Sequence, residues 1–212
     1  MWKAVRSLSM IGTLVACGGG DDDGGGDGDT TDLVGTWRTA DSDMIDAEYT
    51  FRDDGSVTFV GRDGQGDVNL QIEGTYEAAG SEWTLRGTDQ DGMDWFLDEN
   101  LWFDDTRLAV TALLPDGEIG DGPVGRWSGH VRVELDEDVL RDSDVTYDLA
   151  ADGSASLRVR EGTETTTVPA AWEILDDRVL VMTERDGREV SELWALVEGE
   201  ALTGTLLYRV DE

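Results

Sequence analysis

The chain has 212 residues, enough for one large or two small domains, and carries 48 acidic against 16 basic residues for a formal charge of −32. Such a charge argues against nucleic acid or anionic lipid as a binding surface, because both would be repelled. A single cysteine excludes an internal disulfide.

Lys3 and Arg6 precede a mostly apolar run from Leu8 to Ala16 that includes Met10, Ile11, Leu14 and Val15. This is the charged start and short apolar stretch of an export signal, too short to span a bilayer. The run ends in Leu14-Val15-Ala16-Cys17-Gly18. That ending resembles the bacterial lipobox, in which the cysteine is lipidated and becomes the new N-terminus. The resemblance implies a signal peptide over 1–16, lipidation at Cys17 and a membrane partner reached through acyl chains. Each buried methylene contributes about 0.8 kcal/mol, so two or three chains hold a protein where one would not. Gly18, rather than Asp, implies sorting to the outer membrane by likeness to enteric lipoproteins, and hence a place in the cell envelope.

From Gly18 to Asp32 the chain is almost entirely Gly and Asp. With no apolar side chain to bury, residues 17–32 are expected to form a disordered tether with an r.m.s. span of roughly 20 Å. The Asp spacing lacks the alternate ligands and terminal Glu of an EF-hand loop.

Beyond Asp32 the pattern has period two and occurs twice. Gly35-Thr36-Trp37 returns as Gly125-Arg126-Trp127. Tyr49 and Phe51 alternate with polar residues into Asp54-Gly55-Ser56, just as Val145, Tyr147 and Leu149 lead into Asp152-Gly153-Ser154. An Asp-Gly turn between alternating runs marks a hairpin. Gly74-Thr75-Tyr76 corresponds to Ala170-Ala171-Trp172, Trp83-Thr84-Leu85 to Val179-Leu180-Val181, and Leu101-Trp102 to Leu193-Trp194. No helical apolar stripe of useful length intervenes. Each repeat, 33–122 and 123–212, therefore reads as about seven short antiparallel strands in a meander, closed to protect its edges.

The order Gly-x-Trp, aromatic strand, Asp-Gly-Ser, Gly-Thr-Tyr, Trp-Thr-Leu resembles the small lipocalin-like domains of bacterial lipoproteins. It covers nearly all of 33–114 and, more weakly, 123–209. The resemblance implies an all-β fold of two tandem up-and-down barrels. It also implies that Trp37 and Trp127 plug barrel ends, with an arginine from the last strand over the plug. Arg209 is the candidate lid for Trp127, while repeat one runs from Leu113-Leu114 into Pro115 and offers no counterpart. One larger barrel or sandwich, built from both repeats, is the alternative.

Chemistry is sparse. His130 is the only histidine, so neither a hydrolytic triad nor a zinc site has its parts, and no phosphate loop or dinucleotide fingerprint occurs. The chain is expected to be non-enzymatic and to need no cofactor or metal. Trp83, Trp95, Phe96, Trp102 and Phe103 concentrate in repeat one, and alternation sends Trp95 and Phe96, like Trp102 and Phe103, to opposite faces. One set fills the core or lines a cavity, and the other meets a neighbouring domain or a partner. Two functions follow as expectations. One is a binding module for a small apolar or amphipathic ligand held by Trp83, Trp95 and Trp102. The other is a structural or assembly lipoprotein with filled barrels that binds another envelope protein.

Overall fold

A computed structural model describes residues 30–40, 46–136, 138–176, 178–185 and 188–210. The expected signal peptide, Cys17 and most of the expected tether lie outside the described residues. A single 3-10 turn, Thr30–Leu33, leads into β1 (Gly35–Thr39), β2 (Asp46–Phe51), β3 (Ser56–Arg62), β4 (Val68–Ala79), β5 (Glu82–Asp89), β6 (Asp94–Phe103) and β7 (Arg107–Pro115). The second repeat supplies β8 (Gly125–Leu135), β9 (Asp138–Leu149), β10 (Ser154–Glu161), β11 (Glu164–Leu175), β12 (Arg178–Arg185), β13 (Arg188–Val197) and β14 (Ala201–Arg209). The chain is thus all-β and antiparallel.

The two repeats build their hairpins alike. The Asp54 carboxylate accepts from the Ser56 amide at 2.9 Å and that of Asp152 from Ser154 at 3.0 Å, each an Asx turn that fixes the strand reversal. The Gly55 carbonyl then accepts from Tyr76 N, and the Gly153 carbonyl from Trp172 N, both at 2.9 Å. Turn chemistry and alternation act within a few residues, so they shape both copies independently of what surrounds them.

Closure differs from two self-contained tandem barrels. All 14 strands belong to one hydrogen-bonded sheet, because β14 pairs with β1, β13 and β7, while β8 pairs with β9, β7 and β6. β7 and β14 run side by side from Leu113↔Leu202 to Arg107↔Tyr208. The first half of β7 pairs with β6 (Leu101↔Val110 to Phe103↔Leu108), and its end pairs with β8 (Pro115↔Trp127). β14 does the same, pairing first with β13 (Val197↔Ala201) and ending against β1 (Trp37↔Arg209). Each repeat therefore lends the end of its last strand to the other. An open edge in either repeat would expose unpaired backbone, and the exchange covers both edges at once.

The apolar side chains sort into two cores joined by a seam. In the first lobe Trp37, Tyr49, Phe51, Trp83, Leu85 and Trp95 pack with Leu207 from β14. In the second, Trp127, Tyr147, Leu157, Val181 and Trp194 pack with Leu113 from β7. Between them Ala109, Ala112, Val197 and Ala201 are buried under Trp102 and Leu206. Small residues here allow the lobes to approach closely. Thr111 (φ 51) is a positive-φ residue within β7, between the part paired with β6 and the end paired with β8.

Candidate functional site

The repeated Gly-x-Trp builds the end of each lobe the same way. Gly35 (φ 140) and Gly125 (φ 148) hold a backbone geometry that side chains strongly disfavour. The chain thereby doubles back, and the indole N–H of Trp37 donates to the Leu33 carbonyl at 2.8 Å, as that of Trp127 donates to Pro123 at 2.8 Å. Both rings are fully buried. The lid is placed differently from the expectation. Arg209 lies over Trp37, with its guanidinium carbon 4.4 Å from the ring, and donates to the carbonyls of Asp32 and Val34. Trp127 instead faces Pro115 across β7–β8. The reason is the strand exchange, which makes β14 the closing strand of the first lobe.

The three tryptophans expected to grip a ligand are not brought together. Trp83 and Trp95 sit in the first core, 1% and 6% exposed. Trp102 points to the other face, half-buried in the seam with the Arg107 guanidinium 5.2 Å from its ring. Tyr49 and Phe51 each pack within 5.8 Å of Trp83, edge to face, and Phe59 and Tyr76 extend the stack. Rings in van der Waals contact therefore occupy the interior of this lobe. In the second lobe Tyr147 meets Trp194 at 5.7 Å, and the Tyr147 hydroxyl donates to Glu192.

One buried acid stands out within the first lobe. Glu99, 5% exposed, accepts from the Trp83 indole at 3.2 Å and from the Thr111 hydroxyl at 2.7 Å. Burial pushes its carboxyl up to about 7, although these hydrogen bonds favour the ionised form. Burial, with Glu99 nearby, also pushes the Tyr49 phenol well above its usual value. Sequence reasoning missed Glu99, since among so many acids only its inward position on β6 distinguishes it.

The groove lies on the outer surface. Across β4, β5, β6 and β8 the register aligns Thr75, Arg86, Phe96 and Glu134 in one row, and Glu73, Thr88 and Asp94 in the next. These side chains, with Gly74, Gly87 and Trp95 beneath, line a groove of about 450 Å3. A Cβ on Gly74 would lie 2.0 Å from the Arg86 carbonyl oxygen, and one on Gly87 would lie 2.8 Å from that of Glu73. Paired glycines thus let the β4 and β5 backbones approach more closely here than a side chain on either would allow. The Arg86 guanidinium carbon is 4.2 Å from the Phe96 ring centroid, and Arg132 stands 6.0 Å from it.

Elsewhere, His130 Nδ1 is 3.5 Å from Asp144, which Arg160 also pairs. Among the described residues no three His, Cys, Asp or Glu side chains converge to hold a metal ion. Comparison with protein-family models, with curated proteins and with solved structures gave no match.

Proposed function

We propose that the chain is a lipid-anchored lipoprotein of the cell envelope, attached through Cys17 and held off the outer membrane by its Gly/Asp tether. It acts by binding, with no chemical step. In this reading each lobe is a small lipocalin-like barrel whose interior serves as structure, and the recognition surface is the outer groove on β4, β5, β6 and β8. The partner is another envelope protein. The observation that carries this reading is the filling of the lobes. With Trp83 at 1% exposure and packed against Tyr49 and Phe51, an apolar ligand between Trp83 and Trp95 would have to displace core side chains. The groove, in contrast, has an accessible lining of both polar and apolar groups and a volume within the range of binding sites, roughly 300–1,000 Å3.

A photo-crosslinking residue at Thr75, introduced into the full-length protein in intact cells, tests the proposal. A discrete adduct at Thr75, absent with the same probe at Thr50 on β2, supports it. A palmitate label that disappears in Cys17→Ser supports the anchor. Uniform adducts at both positions, or labelling that survives Cys17→Ser, would overturn the corresponding part.

A further inference from the structure

The charged groups around the groove are unequally engaged. Glu73 accepts from the Gln71 side-chain amide at 3.1 Å, and Asp94 accepts from the Thr88 hydroxyl at 3.0 Å. Glu134 accepts from Arg132 Nε at 2.7 Å, and Arg132 also lies 3.9 Å from Asp142. Arg86 differs. Among the described residues no carboxylate or carbonyl accepts a hydrogen bond from its guanidinium, although the chain holds 48 acids. Its guanidinium carbon lies over the Phe96 ring, 4.2 Å from the centroid. A guanidinium stacked this way keeps its in-plane N–H groups free and oriented, a fork that matches a planar carboxylate in bidentate fashion. The stacking fixes the fork before any ligand arrives, which lowers the ordering cost of binding.

The surroundings limit what can use that fork. A free dianion such as phosphate would enter among Glu73, Asp94 and Glu134, on a protein of charge −32. A ligand that couples one carboxylate to cationic groups meets both features: its carboxylate reaches Arg86 while its cations face Glu73 and Asp94. The hydroxyls of Thr75 and Thr88 line the same space and can serve backbone polar groups. A volume of about 450 Å3 has room for a few residues of a peptide.

We propose that the groove takes the free C-terminus of a peptide chain, its carboxylate on Arg86 and basic side chains just upstream facing Glu73 and Asp94. This rests on the reading of the groove as a protein-recognition surface and names the feature that it recognises.

Calorimetric titration of the purified full chain with the peptide Ala-Lys-Ala-Lys-Ala, as its free acid and as its C-terminal amide, tests the proposal. The free acid is expected to bind at least tenfold more tightly than the amide. Arg86→Gln should weaken the free acid at least tenfold and abolish the difference between the two peptides. Arg86 is exposed, so the variant keeps the fold, which circular dichroism verifies. Phe96→Leu, which keeps the charge and removes the stacking platform, should weaken the free acid with a smaller loss for the amide. Failure of the free acid to bind, equal affinity for the two peptides, or unchanged affinity in Arg86→Gln would each overturn the proposal. If one of these occurs while the Thr75 adduct still forms in cells, the surface reading stands and the carboxylate terminus falls. If the adduct is absent as well, both fall.

Discussion

Arg209, on the last strand of the second repeat, stacks on Trp37, on the first strand of the first. The position equivalent to Arg209 at the end of β7 is Pro115, which faces Trp127. The two closures are thus topologically alike and chemically unlike. The first lobe is shut by a guanidinium that also caps two carbonyls of the incoming chain; at the second, the equivalent strand position is an exposed proline.

Arg209→Ala should therefore act on the first lobe although it alters the second repeat. It removes a cation–π contact worth about 0.5–2 kcal/mol and leaves the Asp32 and Val34 carbonyls without their donor, about 0.5–1.5 kcal/mol each. The expected result is a loss of about 1–3 kcal/mol in denaturant unfolding, with faster amide exchange in β1 than in β8. Equal exchange in the two strands would show that the contact does not secure the first lobe.

The strand exchange also predicts which core a leucine supports. Leu207 is buried in the first core and Leu113 in the second, each against its own repeat's membership. Leu207→Ala should cost about 2–5 kcal/mol, the usual range for a fully buried leucine, and loosen Trp37 and Tyr49 before Trp127. Leu113→Ala should do the converse. Assigning indole resonances and following their broadening with urea checks both variants.

Turns and alternation were legible because they are local. Asp54-Gly55 and Asp152-Gly153 specify their hairpins whatever lies opposite, and Trp95 and Phe96 do take opposite faces, one in the core and one on the groove. The closure was not legible. Leu108 to Leu113 and Leu202 to Leu207 have nearly the same pattern, so either strand could shut either lobe by sequence alone; the backbone kink at Thr111 and the small residues of the seam belong to the tertiary context that the pattern does not carry. The same ambiguity misplaced one correspondence. Trp102 and Trp194 look equivalent, yet Trp194 is buried in the second core while Trp102 faces the seam, with Leu101 turned inward instead. The groove was hidden for another reason: Arg86 and Phe96 meet across the β5–β6 hairpin, but Glu134 joins them only through cross-repeat pairing of β6 with β8.

The glycine pair under the groove gives a sharper test of this geometry. In Gly74→Ala the new Cβ would meet backbone on two sides, 2.0 Å from the Arg86 oxygen and 2.6 Å from the Gly87 Cα, and backbone cannot move aside as a flexible side chain would. A loss of about 3 kcal/mol or more is expected, at the upper end of single-substitution effects. The second repeat carries Ala170 at the corresponding place, paired with Thr183, so Ala170→Gly should cost no more than about 1 kcal/mol. Thermal unfolding of the two variants beside the parent measures the contrast. Similar losses for both would mean that β4 and β5 can relax around a side chain at position 74.

Glu99 makes stability depend on pH in a direction opposite to that of the ion-paired acids. Its carboxyl is raised from an ordinary value of 4.5 to about 7 in the folded chain. The folded state therefore holds the proton more tightly than the unfolded state does. The contribution is fully present below pH 4.5, and it is lost as the pH rises towards 7, at up to about 1.4 kcal/mol per unit. Asp104 behaves in the contrary sense. Although burial opposes it, hydrogen bonds from Arg107 and Thr106 lower its carboxyl to about 2, so its contribution is lost as the pH falls through that region. Glu99→Gln separates the two effects. The amide oxygen still accepts from the Trp83 indole, and no charge forms in the core at any pH. The variant is expected to match the parent near pH 4.5 and to exceed it by about 1–3 kcal/mol at pH 8. Calorimetric unfolding of both proteins across that range checks the sign. A parent that remains as stable as Glu99→Gln at pH 8 would mean that the ionised carboxylate is fully satisfied by Trp83 and Thr111, and that no proton is retained between β6 and the crossing point of β7.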